Sequence, residues 1–257
     1  MTTVYDSRAK VYATSRELRP PVGGDAWEYF NYLGNDPLTD LVAPTERNMI
    51  RGKPEGQVIG TPVVQDCAVR CTGLVNYIQA MTEAMAQFTF IAIARPVLPD
   101  AGGVPLISNT GSVWPTTGTA TSGSALYLND VAAGNGLLRL TTQQGANNAG
   151  TAATVAASTG DFTAAAAGFQ MFVGRCFPNG DRIAKIMGLG LTSVPVNSAL
   201  PAALAQPLRI GSQYNGAAVG PVDIAGVGIL SAALSDVDLT TLYAFLKRPY
   251  LRRQIII

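Results

Sequence analysis

From about residue 57 onward, apolar positions come in short runs cut at intervals by Gly, Pro, Asn or Asp, the rhythm of strands rather than helices. The candidate strands are 57–64, 66–72, 87–95, 104–108, 124–129, 136–142, 168–176, 182–187, 208–212 and 222–231. In 87–95, strict alternation puts Phe88, Phe90, Ala92 and Ala94 on one face and Thr89, Ile91 and Ile93 on the other. Both faces are apolar, as expected of a central strand covered on both sides. In 66–72 the same period predicts that Cys67, Val69 and Cys71 share a face as core thiols. The whole pattern predicts an all-β chain, an antiparallel β-sandwich of the jelly-roll type.

The period changes twice. Near the end, Leu239, Leu242, Tyr243 and Leu246 recur at helical spacing behind Ser235 and Asp238, which are placed as N-cap and N3 acid. Lys247 and Arg248 suit the last turn of this short C-terminal helix, and Pro249 is expected to stop it. Near the start, Asp25-Ala-Trp-Glu28 resembles a capping box, so a short helix is expected over about 26–33, ending at Gly34. The expected organisation is an N-terminal arm with that helix (1–52), a β-sandwich (53–247) and a C-terminal extension (248–257). Ile255, Ile256 and Ile257 are too apolar to be left in water, and are expected to add to a strand edge or dock on a partner.

Composition narrows the chemistry. Of 257 residues only 14% are charged, the net charge is +1 and there is no His. A near-neutral chain supplies no long-range field for nucleic acid or an anionic membrane. Without His, every His-dependent triad, zinc site and general base drops out. Three cysteines cannot all pair in one chain, and C-x3-C spacing is a poor metal or redox motif. The N-terminus shows no secretory signal, and no apolar stretch approaches bilayer length, so membrane insertion is not expected and the protein is expected to be made in a cytoplasm. Between 101 and 180 the only charges are Asp130, Arg139, Asp161 and Arg175. Within that span, 145–168 is dominated by Ala, Thr and Gly, fitting either a surface that packs on other protein, with Thr151, Ala152 and Ala153 at its centre, or a flexible insertion.

Catalytic constellations are absent. Paired carboxylates for glycoside hydrolysis would need acids on one strand face, and the sole D-x-D, Asp236-Val-Asp238, belongs to the helix cap. Neither GxSxG nor a phosphate-binding loop occurs. The chain is therefore not expected to be an enzyme, and no cofactor or metal is expected. Sugar binding needs an aromatic platform plus directed polar groups. Trp114, in the Gly/Thr/Ser-rich stretch 100–123, and Tyr214 with Asn215, in the turn after 208–212, are the candidates. The competing reading is that Trp114 anchors its loop and Tyr214 covers the sandwich edge.

The run LRIGSQYNG (208–216), followed by DIAGVGILSAALSDVDLTTLYAFL (223–246), resembles the end of a laminin-G or concanavalin-A-like jelly-roll domain. Asn76-Tyr77-Ile78 and 87–95 resemble its early strands, so the likeness covers about 55–246. Gly226 stands where many members carry an acid, and no Asp/Asn cluster matches the calcium site of the binding members. The version with an added arm, uncharged loops and no export signal is similar to virion proteins of tailed bacteriophages. That resemblance implies a structural virion protein, in tail, baseplate or capsid decoration. It would form a homo-oligomer, with a trimer favoured, alongside other virion proteins. The alternative is a receptor-recognition protein for a host surface glycan.

Overall fold

The computed structural model describes residues 18–36, 41–42, 45–82, 85–97, 103–113, 118, 120–131, 135–148, 151–163, 168–197 and 206–257. Eighteen strands and one helix make up the described chain. The first nine strands are β1 (Trp27–Tyr32), β2 (Asn35–Asp36), β3 (Leu41–Val42), β4 (Gln57–Ile59), β5 (Val63–Gln65), β6 (Ala68–Thr72), β7 (Tyr77–Gln79), β8 (Phe88–Pro96) and β9 (Val104–Ser108). There follow β10 (Ser124–Asp130), β11 (Leu137–Asn148), β12 (Thr151–Thr163), β13 (Gln170–Cys176), β14 (Asp181–Ile186), β15 (Leu191–Thr192), β16 (Val196–Asn197), β17 (Arg209–Ile210) and β18 (Pro221–Leu230). Helix α1 spans Asp236–Arg252.

Two antiparallel sheets stack face to face. One, of nine strands, runs β15-β14-β13-β8-β18-β6-β5, with β1 continuing alongside β18 and β16 alongside β14. The other, of seven, runs β12-β11-β10-β9-β17-β7-β4. The fold is the all-β sandwich that the alternation predicts. Phe88, Phe90, Ala92 and Ala94 of β8 point between the sheets, where they meet Leu126, Leu140, Phe172 and Ile224. Phe88 and Phe90 stack with centroids 4.0 Å apart. Ile91 and Ile93 point the other way, into a second cluster beneath α1 with Met171, Val173, Leu239, Leu242, Leu246 and Tyr250. Each such buried side chain contributes about 1.5–3 kcal/mol, so the nine-stranded sheet is stabilised from both sides.

The expected helix at 26–33 is instead strand β1, preceded only by a 3-10 turn at Gly24–Ala26. Its neighbours decide the outcome. Phe30 pairs with Gly228 and Tyr32 with Gly226, so aromatic side chains lie over bare backbone of β18. Asn48 ties the strand down: its Nδ2 donates to the Glu28 carbonyl at 2.9 Å, and its Oδ1 accepts from the Phe30 amide at 3.2 Å. The local capping signal is outweighed by about six residues of ladder and aromatic burial. This part of the expected arm is thus a strand of the large sheet.

Pro249 does not stop α1, which runs on to Arg252 with the predicted capping box at Ser235 and Asp238. The missing amide costs one bond, but Tyr250 beyond it is fully buried and donates its hydroxyl to the Ala225 carbonyl at 3.2 Å. Gly226 leaves room for that hydroxyl: a Cβ there would collide with Tyr250 Oη. This accounts for glycine where the resembling domains carry an acid.

The apolar tail is covered by its own chain. After Gln254, at φ 61°, it folds back; Ile255 and Ile257 are 5% and 6% exposed in the cluster under α1, and Tyr243 donates to the Ile257 carbonyl at 2.8 Å. Ile256 alone stands out, 81% exposed. The expected docking of Ile255 and Ile257 on a strand edge or a partner is therefore corrected, because the helix supplies the apolar surface that they need.

Cys67 does not share a face with Val69 and Cys71. Its backbone turns at φ 64°, which sends its thiol to the Arg253 carbonyl at 2.8 Å, while Val69 and Cys71 enter the inter-sheet core. All three cysteines are free and buried. Burial pushes the Cys71 thiol up to about 12 and the Cys176 thiol up to about 11, so both are poor nucleophiles. The stretch 145–168 is largely strand: β11 and β12 pair from Leu137↔Thr163 to Asn148↔Thr151.

Candidate functional site

The outer surfaces of the two sheets differ. That of the nine-stranded sheet is roofed by α1 and the tail. That of the seven-stranded sheet carries polar and aromatic side chains on a rigid floor. On β10 and β11, Leu126, Leu128, Leu138 and Leu140 point inward, so Tyr127, Asn129, Arg139, Thr141 and Gln143 lie on the other side; the first three are half-buried, while Thr141 and Gln143 are buried. Strand pairing then aligns them. Gln57, Gln79, Arg209, Ser108, Ala125, Gln143 and Ala156 form one cross-strand row over all seven strands. Tyr127, Thr141 and Ser158 form the next.

Hydrogen bonds hold these rows in place. Asn129 Nδ2 donates to Thr141 Oγ1 at 2.9 Å, and Thr141 Oγ1 lies 2.8 Å from Ser158 Oγ. Burial pushes the half-buried Tyr127 hydroxyl up, against hydrogen bonds to Asn129 and Thr141 that favour its ionised form. Gln143 Nε2 donates to Thr110 Oγ1 at 2.9 Å and to the Ser122 carbonyl at 3.0 Å. Arg139 and Asp161 form an ion pair at 2.8 Å beside Asn129. At the other side of the face, the Arg209 guanidinium lies between two rings, 4.6 Å from the Tyr77 centroid and 3.5 Å from that of Tyr214.

The sequence candidates meet this face only in part. Tyr214 is half-buried: Arg209 covers one side of its ring, and its hydroxyl donates to the Pro207 carbonyl at 2.8 Å. Burial pushes that hydroxyl up, and Arg209 opposes the shift. Tyr214 is thus a built-in wall, as in the edge-covering reading, rather than a free platform. Asn215 is exposed, and its Oδ1 accepts from Gln213 Nε2 at 2.8 Å and from the Ala217 amide at 3.2 Å, so it shapes the turn. Trp114 lies outside the described residues. Thr151, Ala152 and Ala153 are placed by backbone pairing in β12, the edge strand of this sheet; their side chains also lie outside the described residues. The residues that make the face, Tyr127, Asn129, Thr141, Gln143 and Arg209, were not among the candidates. The signal was present in the alternation of Ser124–Asn129, whose odd positions face away from the two leucines.

Chemically, this surface offers hydroxyl, amide and guanidinium hydrogen bonds next to aromatic rings. Its carboxylate, Asp161, is engaged by Arg139. Among the described residues no group of three or more His, Cys, Asp or Glu is placed to hold a metal, and no helix is long and apolar enough to cross a membrane.

No protein-family model and no curated protein matches the sequence. Solved structures do match the fold. The binding domain of botulinum neurotoxin DC, solved in complex with SialylT, aligns over 86% of this chain and 52% of its own, with 12% identity and a TM-score of 0.54. The same domain in complex with rat synaptotagmin II gives 12% identity and a TM-score of 0.56, over 88% of this chain and 52% of that one. Trypanosoma rangeli sialidase in complex with sialic acid aligns over 95% of this chain but 38% of its own, with 14% identity and a TM-score of 0.55. The chain therefore spans about half or less of these proteins. At such identities the likeness shows the fold alone, a β-sandwich shared by the binding domain of a toxin and a sialidase.

Proposed function

We propose that this chain is a non-catalytic, lectin-like binding module that reads a neutral glycan with the outer surface of its seven-stranded sheet. The observation that carries this reading is the cross-strand row of Tyr127, Thr141 and Ser158, with Asn129 bonded into it and the Arg209 guanidinium across the same face. A sugar ring presents hydroxyls at its edge and C–H groups on its face; the exposed Ser158 and the half-buried Asn129 and Arg209 offer partners for the first, and the half-buried ring of Tyr127 for the second. The low surface charge keeps non-specific anion contacts few. Neighbours of the same fold solved with SialylT and with sialic acid support a glycan as the ligand, and the choice of a neutral one rests on the low charge of this chain.

The setting we propose is a bacteriophage virion, in tail, baseplate or capsid decoration, as a homo-oligomer with a trimer favoured. The low proportion of charged residues and the Ala/Thr-rich stretch 145–168 support it. So does the long hairpin β11–β12, which ends the seven-stranded sheet with an edge strand whose one charge is Asp161. Host-polysaccharide binding, measured on a glycan array and by calorimetry, tests the ligand. Tyr127→Ala is expected to weaken binding by about tenfold or more, some 1.4 kcal/mol, with the melting temperature little changed. No binding by the unaltered chain to any host polysaccharide overturns the glycan reading. A monodisperse monomer in light scattering overturns the oligomer.

A further inference from the structure

On the outer surface of the nine-stranded sheet, one cross-strand row departs from the apolar character around it. Ala225 belongs to the cluster under α1; two residues earlier on the same face of β18 stands Asp223. Asp223 pairs with Arg70 of β6 on one side and with Arg95 of β8 on the other, and Arg70 pairs in turn with Val63 of β5. The Arg95 guanidinium lies 4.8 Å from the centroid of the Phe169 ring. The row therefore reads Val63, Arg70, Asp223, Arg95, with Phe169 against its last member.

The Asp223 carboxylate is fully buried and accepts three bonds: from Arg70 Nε at 2.7 Å, Arg70 Nη2 at 3.1 Å and Arg95 Nη2 at 2.7 Å. Burial alone would raise its pKa, but the two guanidiniums outweigh burial and hold it below the usual carboxylate range. The arginine side chains remain 36% and 46% exposed. Their other N–H groups have no partner among the described residues. Two cations share one anion, so the row keeps a net positive charge. A buried carboxylate fixes both guanidiniums in advance, which removes the entropy cost of orienting them on a ligand.

We propose that this row is a recognition site for an organic carboxylate. The two guanidiniums would take the carboxylate group in charge-assisted bonds, and Val63, 54% exposed, and the Phe169 ring flank them with apolar surface for the ligand's carbon body. The site lies on the opposite sheet from the glycan surface and does not rest on that reading. The test is a titration of the full chain at low salt with sodium glucuronate, followed by NMR of the arginine Nε–H resonances. Inorganic phosphate and glucose serve as comparators. Glucuronate is expected to shift Arg70 and Arg95 saturably, and glucose not at all. Arg95→Gln is expected to weaken the interaction by about tenfold or more. Arg95→Lys, which keeps the charge and loses the fork, is expected to weaken it as well. Arg95 is the more exposed of the pair and its loss leaves Asp223 both bonds from Arg70, so a cooperative thermal transition verifies that its variants fold. Shifts that do not saturate, shifts of equal strength in Arg95→Gln, or phosphate binding more tightly than glucuronate would each overturn the assignment.

Discussion

The two outer surfaces of this sandwich carry different residues at their outward positions and meet different fates. Over the nine-stranded sheet, Ile91, Ile93, Met171, Val173 and Leu230 need an apolar cover, and α1 and the tail supply it. Over the seven-stranded sheet the outward positions are Tyr127, Asn129, Arg139, Thr141 and Gln143, which bond to one another and to nearby backbone. Cover and exposure are therefore assigned strand by strand, through which residues share a parity. A surface that has been roofed stores stability. A surface whose polar groups are satisfied laterally needs no such roof, and Thr141 and Gln143 are buried there among polar partners.

The sharpest way to break this contrast is to remove the anchor of the roof. Tyr250→Ala is expected to cost about 3–5 kcal/mol in urea denaturation, since the ring is fully buried and touches Tyr32 and the β18 backbone. Tyr127→Ala, on the open surface, should cost far less in the same experiment; equal losses would mean that the two faces are not different in kind.

A pair of glycines sharpens the same point at smaller scale. Gly226→Ala, under the roof, forces a methyl group against Tyr250 and is expected to destabilise by about 1–3 kcal/mol. Gly160→Ala, in β12, meets nothing within 4 Å and should change stability by less than about 0.5 kcal/mol. The smallest contrast lies within three residues of the tail. Ile255→Ser should lose about 2 kcal/mol of burial, whereas Ile256→Ser should be neutral to folding within about 0.5 kcal/mol, as melting temperatures would report. If Ile256→Ser also abolished self-association, the exposed isoleucine would be the subunit contact.

Where tertiary structure overrides a local signal in this chain, the physical origin is the same. Asp25-Ala-Trp-Glu28 is a valid local helix start, yet Trp27–Tyr32 became a strand because β18 offers glycines opposite its aromatics, 200 residues away in sequence. Pro249 is a valid stop, yet α1 passes it because Tyr250 gains more from burial than one amide bond is worth. Arg253, in the basic C-terminal stretch, is buried. It donates to the Leu33 carbonyl at 2.6 Å and to the Ala225 carbonyl at 3.3 Å, pinning the C-terminus to the large sheet. Tyr214 was legible as an aromatic next to a turn, but not the guanidinium that Arg209 lays on it.

By itself, the order of residues determined the class of fold, the alternating faces of β8, the capping box at Ser235 and the burial of Cys71. These follow from periods of two and of 3.6 and from side-chain bonds spanning three residues, all local quantities. Only the tertiary structure decided which surface is open, which glycine must stay small, and that Arg70, Asp223 and Arg95 stand in a row. Those facts depend on strand register between segments far apart in the chain, and register is set by the packing of the whole sandwich rather than by any one stretch.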